Sequence, residues 1–145
     1  MTNNHYIDAY KKTQQSSNAV TTSYEIVRTL MKELVNSMQK IVLDIQDERK
    51  RKQDYRLIDK VFEEKNARHK SKNLSKALSI IYGLQTSLDF DKALEIANNL
   101  FQLYEYCRHE IIRGFSQKIE AGIVRAIEVI KQIMEGWEEI PSLDK

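Results

Sequence analysis

Few side chains in this sequence have the types and spacing that catalysis or metal binding requires. Glu105 and His109 are four residues apart, whereas a di-iron bundle needs paired Glu-x-x-His motifs, and no second pair exists. His5 and His69 occur in polar or charged segments, where a solvated side chain is favoured over a metal ligand. No glycine-rich phosphate loop, nucleophile elbow or Ser-His-acid spacing is present. The sequence therefore predicts neither an enzyme nor a metal-binding or cofactor-binding protein.

The cysteine content and the hydropathy pattern indicate the compartment. Cys107 is the only cysteine in 145 residues, so an internal disulfide is excluded. Its position among regularly spaced apolar residues favours a small buried side chain over a reactive thiol. No apolar run approaches the ~18 residues of a membrane span, and the N-terminus lacks the charged start and apolar core of a secretion signal. We therefore expect a cytosolic protein without membrane insertion.

The segment 46–73 is the main charged feature of the chain. It holds ten Lys or Arg and six Asp or Glu, including the run ERKRK from Glu48 to Lys52, and its net charge of +4 leaves −2 for the rest of the chain. Nucleic-acid binding favours unopposed basic residues interleaved with stacking aromatics. Here carboxylates interrupt the basic residues. We interpret the segment as a solvated helix face with i,i+4 ion pairs and expect no nucleic-acid partner.

The elements that would position these residues are all helical. One Pro and four Gly leave little turn punctuation for a β fold, while apolar residues recur at helical spacing over long stretches. The pattern predicts an all-α, antiparallel up-and-down four-helix bundle, a single domain over residues 1–145. Residues 1–20 are polar and predict a mobile N-terminal arm. The segment 46–73 predicts a charged helical extension between the first and second helices.

The helix boundaries follow from the apolar stripes and from capping residues. The first stripe runs from Ile26 to Ile45, and the second helix is predicted at about 72–87. The third helix is predicted to begin with a cap at Ser87 or Asp89 and to end near Arg113, before a turn at Gly114. The fourth helix is predicted over about 116–138, with a stop at Pro141.

The third helix carries more apolar surface than one bundle contact requires. At about 100° per residue one seam can be drawn, through Ala93, Ala97, Leu100, Tyr104, Cys107 and Ile111. Further apolar residues flank the seam on both sides, namely Leu94, Phe101 and Ile112 on one side and Ile96 and Leu103 on the other. The arc approaches ~180°, against ≳100° for an ordinary surface helix, and Tyr106 lies outside it. Either neighbours cover this helix on two sides, or it binds something outside the chain.

Three stretches together resemble one known family. The stretch SLDFDKALEIANNLFQLYEY, residues 87–106, is similar to the third-helix signature of the flagellar export chaperone FliS family. In the arm, YIDAY resembles the family's Tyr-x-x-Ala-Tyr, and TTSYEIVRTLMKELV resembles its first-helix opening. The resemblance covers most of residues 5–45 and 72–138. Two features depart from it: Tyr24 stands where the family commonly has Pro, and the segment 46–73 looks longer than the family's joint between helices.

The resemblance implies a function. Members of this family are cytosolic helical bundles that bind the C-terminal segment of flagellin, prevent its premature polymerisation and pass it to the flagellar type III export gate. Such a client is disordered before it polymerises, and apolar grooves on a chaperone let it fold as helices on a foreign surface. The residues alone also leave two alternative functions open. One is a helical protein-protein adaptor, and the other, less favoured, is a nucleic-acid-binding bundle. The free protein could be a monomer or a homodimer.

The resemblance also implies which residues bind the partner. They are expected to be Tyr6, Ile7, Ala9 and Tyr10 in the arm, and Leu88, Asp89, Leu103 and Tyr106 in or next to the third helix. Leu100 and Tyr104 match the same motif but lie on the seam, which favours core packing. For Asp89 a role as helix cap is the simpler alternative. No cofactor is implied.

Overall fold

The computed structural model describes the backbone of residues 19–52 and 60–143 and the side chains of residues 24–52 and 64–139. These residues form four helices: α1 (Ala19–Lys52), α2 (Lys60–Thr86), α3 (Leu94–Gln117) and α4 (Ala121–Leu143). The arm residues Tyr6, Ile7, Ala9 and Tyr10 lie outside the described part of the chain. Among the described helices, none is long and apolar enough to cross a bilayer.

The helices pack as an antiparallel up-and-down bundle, which confirms the predicted fold class. Lys76 of α2 pairs with Glu33 of α1 at 2.8 Å, and Lys70 pairs with Glu48 at 2.9 Å, so α1 and α2 run in opposite directions. α1 packs against α2 and α4, and α3 packs against the same two helices. α1 and α3 therefore face each other across the core.

One apolar stripe from each helix forms the core, as the sequence periodicity predicted, except that Ile26 at the start of the α1 stripe is 41% exposed. Fully buried members include Leu34 and Ile41 of α1, Ile81 of α2, Tyr104 of α3 and Ile130 of α4. Burial of such a side chain contributes roughly 1.5–3 kcal/mol. The core is continuous along the described helices, since side chains from all four helices belong to one cluster.

Tyr24 and Trp137 close one end of the bundle between α1 and α4. Both side chains are buried, their rings stack with centroids 5.4 Å apart, and Trp137 Nε1 donates a hydrogen bond to the carbonyl oxygen of Tyr24 at 3.1 Å. Burial raises the pKa of Tyr24. Position 24, where the resembled family commonly has Pro, therefore supplies a ring that packs against α4.

The predicted helical extension is confirmed where the structure describes it. α1 continues through Gln46 to Lys52, and α2 begins at Lys60, about three turns earlier than the predicted 72–87. The apolar stripe weakens in this segment, which is why the periodicity placed the helix start too late. Contacts with α1 hold the added turns instead, for example between Lys70 Nζ and Glu48 Oε2 at 2.9 Å.

The predicted turn at Gly114 and the predicted stop at Pro141 are wrong. Gly114 is buried inside α3, and the turn comes after Gln117, where Lys118 adopts a left-handed conformation with φ 59°. α4 extends past Pro141 to Leu143. Gly114 serves close packing: a Cβ there would lie 2.6 Å from Ile123 Cδ1 and 2.7 Å from the carbonyl oxygen of Ile119.

Gly114→Ala should therefore destabilise the protein by about 1–3 kcal/mol, the usual range for overpacking a core. Gly83→Ala is the matched control, because nothing lies within 4 Å of a Cβ at this α2 position. It should be neutral or stabilising by up to about 1 kcal/mol, since alanine favours a helix over glycine. Urea unfolding of both variants measures the two effects. An equal loss in both would mean that the α3–α4 contact at Gly114 is not the cause.

Candidate partner-binding surface

The seam of α3 is buried as predicted. It consists of Ala97, Leu100, Tyr104, Cys107, Ile111 and, one turn further, Gly114. Ala93, the predicted first member, is instead the N-cap residue and is only partly buried. The core thus uses one stripe of α3, and the apolar residues on both flanks remain at least partly exposed.

The first flank of α3 lies beside α2 and forms the α2–α3 edge. It is positioned by the hydrogen bond from Gln85 Nε2 to Glu105 Oε2 at 2.8 Å. Leu94 and Ile112 share the flank of Glu105 and are 59% and 38% exposed, whereas Tyr82, near Gln85 on α2, is 69% exposed. Half-buried side chains complete the edge, namely Leu78 of α2 and Phe101 of α3. This edge is an apolar strip with one polar bridge in it.

The second flank of α3 lies beside α4 and forms the α3–α4 edge. Leu103 and Tyr106, both 37% exposed, share this flank with Glu110, whose carboxylate lies 3.8 Å from Arg125 of α4. Val129, one turn after Arg125, is half-buried on the same side of α4. The structure therefore places Leu103 and Tyr106 together on an accessible apolar surface, as their off-seam positions predicted.

A polar ridge separates the two edges along the outer face of α3. Its exposed members are Glu95, Asn98, Gln102, His109 and Arg113. The ridge thus contains one carboxylate and one guanidinium among polar side chains. A segment that bound both edges would therefore cross side chains that donate and accept hydrogen bonds.

Glu105 holds α2 and α3 together at the first edge. Arg108 donates two hydrogen bonds to its carboxylate, each of 2.9 Å, and Gln85 donates a third. The Arg108 guanidinium, together with the Gln85 amide, lowers the pKa of Glu105 to about 2. Since these donors come from α3 itself and from the buried Gln85, the carboxylate fixes the separation of the two helices.

Leu88 and Asp89, two of the residues expected to bind the partner, are buried in the structure. Leu88 packs in the core and Asp89 is 3% exposed. The backbone N–H groups of Asp91 and Lys92 donate to Asp89 Oδ1 at 2.9 and 3.1 Å, whereas the N-cap of α3 is Ala93, without a side-chain cap hydrogen bond. Asp89 therefore caps the turn before α3 rather than the helix itself.

Cys107 is buried, whereas the described histidines are exposed. Cys107 is buried with Sγ 3.7 Å from the carbonyl oxygen of Ala126, and burial raises the pKa of its thiol to about 12. This confirms the predicted packing role. His69 and His109 are exposed. Within the described ranges, no three His, Cys, Asp or Glu side chains group closely enough to hold a metal ion.

Comparison with known proteins identifies the family. The family model described as flagellar protein FliS matches residues 6–143, which includes the arm from Tyr6 onward. The chain belongs to the FliS family. The resemblance inferred from the arm and the third helix is thereby confirmed.

Individual relatives match over a shorter length. The flagellar secretion chaperone FliS of Vibrio cholerae is 33% identical over 72 residues, which is 50% of this chain and 53% of the relative. The protein of the same name from Salmonella typhimurium is 35% identical over 72 residues, 49% of this chain and 53% of the relative. The flagellar secretion chaperone FliSB of Pseudomonas aeruginosa is 28% identical over 67 residues, 46% and 53% of the two chains. The chain thus spans about half the length of the curated relatives it matches.

Sequence reasoning missed the contribution of α2 to the apolar surface. Tyr82 is the most exposed large apolar side chain among the described residues, yet only α3 and the arm were selected as binding elements. A signal was present: Tyr82 lies off the stripe formed by Ala77, Ile81 and Leu84, just as Tyr106 lies off the stripe of α3. An off-stripe aromatic in an amphipathic helix is thus the feature common to both edges.

The Glu105 bridge predicts a pH-dependent contribution to stability. Because the folded-state pKa lies near 2 and the ordinary value is 4.5, the contribution is complete above pH 4.5 and is lost as the pH falls towards 2. Glu105→Gln should destabilise by about 1 kcal/mol at pH 7, after allowance for solvent screening, and by much less near pH 2.5. Urea unfolding at both pH values measures the difference. Glu128→Gln, at an exposed position 4.0 Å from Lys131, should change stability little at either pH; a constant penalty for Glu105→Gln would exclude the ionic bridge.

Substitutions at core positions of α3 should lower the stability of the protein more than substitutions at its surface positions. Leu100→Ala removes a seam residue that is 2% exposed and should cost about 2–5 kcal/mol. Tyr106→Ala alters a partly exposed side chain and should change stability by less than ~1 kcal/mol. Thermal and urea unfolding of both variants test the assignment. A loss for Tyr106→Ala as large as that for Leu100→Ala would make Tyr106 a packing residue.

Proposed function

We propose that this protein is an export chaperone that binds the C-terminal segment of flagellin in the cytosol, prevents its premature polymerisation and delivers it to the flagellar type III export apparatus. The observation that carries the proposal is the exposed apolar surface on both flanks of α3, next to a seam that is fully buried. Family membership supports the same function, since the relatives bear the name flagellar secretion chaperone. The flagellin segment as client follows from the resemblance of the arm and third-helix motifs.

The two edges suit an amphipathic helical client. An apolar helix face that lies in a groove is recognised through side chains three or four residues apart, and Leu103 and Tyr106 have this spacing. On the α2–α3 edge, Tyr82 and Leu78 of α2 lie opposite the part of α3 that contains Ile112. The two helices are antiparallel and are joined at Gln85 and Glu105, so residues one to two turns before Gln85 face residues one to two turns after Glu105. A client that covers these side chains removes them, and its own apolar face, from water.

The chemistry of the surface favours a polypeptide over other partners. Aromatic and leucine side chains anchor protein partners, and a polar rim limits nonspecific association. The basic residues of the segment 46–73 lie elsewhere: Arg49 is bonded to Glu120, and Lys70 to Glu48. The apolar edges of α3 and not the charged segment are therefore assigned to the client.

Calorimetric titration of the full chain with a flagellin C-terminal fragment tests the proposal. The unaltered protein should bind the fragment. Tyr106→Ala, Leu103→Ala and Tyr82→Ala should each weaken binding by about tenfold, as expected for anchor residues that lose 1–2 kcal/mol. Leu43→Ala is the matched control, because Leu43 is 56% exposed on α1, across the bundle from α3.

Each outcome has a distinct meaning. Absence of binding by the unaltered protein rejects flagellin as the client. Binding that Leu43→Ala weakens as much as Tyr106→Ala does would reject α3 as its site. Circular dichroism of each variant confirms that a loss of affinity is not a loss of folding.

A further inference from the structure

The last turn of α1 meets the turn between α3 and α4 through Glu48. The Glu48 carboxylate forms ion pairs with three lysines. They are Lys70 of α2, with Nζ at 2.9 Å, Lys118 of the α3–α4 turn, with Nζ at 3.3 Å, and Lys52 of α1, with Nζ at 3.7 Å. The Glu48 side chain therefore links α1 and α2 to the turn between α3 and α4. The sequence motif ERKRK contained this carboxylate but not its partners.

Arg49, the next residue, reaches the same turn. Its Nη1 donates to Glu120 Oε1 at 3.1 Å and its Nη2 donates to Glu120 Oε2, which is a bidentate arrangement with directional strength. Nη2 also lies 3.5 Å from the carbonyl oxygen of Lys118. Glu48 and Arg49 of α1 thus both contact residues 118–120.

The contacts of Glu48 are partly shielded from solvent. The side chain of Glu48 is 22% exposed and that of Lys70 is 10% exposed, so salt screens this pair less than it screens Arg49 and Glu120. Burial raises the pKa of Glu48, but the hydrogen bond and charge of Lys70 and the charge of Lys118 outweigh burial and lower it overall. The carboxylate is therefore held in its charged form between the lysines.

The α3–α4 turn needs such contacts. Lys118 has φ 59°, a left-handed conformation that is strained for a residue other than glycine. Its N–H bonds back to the carbonyl oxygen of Gly114 within the turn. Among the described residues, the ion pairs and hydrogen bonds that reach 118–120 from another helix come from Glu48 and Arg49 of α1.

We propose that Glu48 and Arg49 form an ionic latch that holds the α3–α4 turn against α1 and α2. These two residues then control how readily this end of the bundle opens. Because α3 carries both apolar edges, the latch also sets the affinity of the client surface; this second part rests on the proposed flagellin binding. Glu48 and Arg49 act as positioning residues and need not touch the client.

Hydrogen exchange of the free protein tests the latch without any client. In Glu48→Gln combined with Arg49→Gln, amides of residues 115–122 should exchange about tenfold faster, as expected when several partly exposed ion pairs are lost. Arg28→Gln is the matched control, because Arg28 and Glu138 form an α1–α4 ion pair at 2.6 Å near the opposite end. It should leave residues 115–122 unchanged. High salt should accelerate exchange at 115–122 in the unaltered protein and reduce the difference between the proteins.

Titration with the flagellin C-terminal fragment then tests the consequence for binding. The double variant should bind the fragment at least about threefold more weakly, which corresponds to the loss of a single modest contact. Unchanged exchange at 115–122 overturns the latch, whatever the client does. Faster exchange with unchanged affinity overturns its control of the client surface. Failure of the unaltered protein to bind overturns only the proposed function, and the exchange result still decides the latch. If the double variant does not fold, Arg49→Gln alone, at a side chain that is 51% exposed, serves for both measurements.

Discussion

A helix in a four-helix bundle can bury only the stripe that faces the core, and this constraint determines the surface of α3. The stripe occupies about 100° of a helix, whereas the apolar arc of α3 is nearly twice as wide. Tyr104 and Ile111 on the stripe are fully buried, but Leu103 and Ile112, their immediate neighbours in sequence, stay more than a third exposed. No rotation of α3 would bury all four. Apolar surface is therefore left over by geometry and is not a defect of packing.

Polar contacts at both flanks keep α2 and α4 from closing over this surface. Gln85 and Glu105 bridge α2 to α3, and Glu110 and Arg125 link α3 to α4. Closer approach would remove water from these charged groups, which costs free energy unless every hydrogen bond is kept. The α3–α4 interface does approach closely at Gly114 and Ala126, where small residues or a missing side chain permit it. This difference explains why the α2–α3 edge exposes more apolar side chains than the α3–α4 edge.

Periodicity predicted what depends on a single helix, and it failed where a residue's role depends on another element. The buried seam of α3, the packing of Cys107 and the exposure of Tyr106 follow from positions around one helix axis. Gly114 reads as a turn from sequence because only the approach of Ile123 reveals its use in close packing. Leu88 and Asp89 belong to a family motif, but their burial depends on neighbouring elements that the motif does not reveal. Tyr82 was overlooked because α2 matches no motif at that position.

Different interactions stabilise the two ends of the bundle. Where α1 begins, Tyr24 and Trp137 are stacked and buried, and salt does not screen this apolar contact, although the exposed Arg28–Glu138 ion pair lies at the same end. Where α1 ends, ion pairs of Glu48 and Arg49 hold a strained turn, and these contacts are weakened by screening. Local opening follows the weaker contacts, so the end near the α3–α4 turn should open first. Under the proposed function such an asymmetry would let the end near the α3–α4 turn open while the buried aromatic pair keeps the bundle folded.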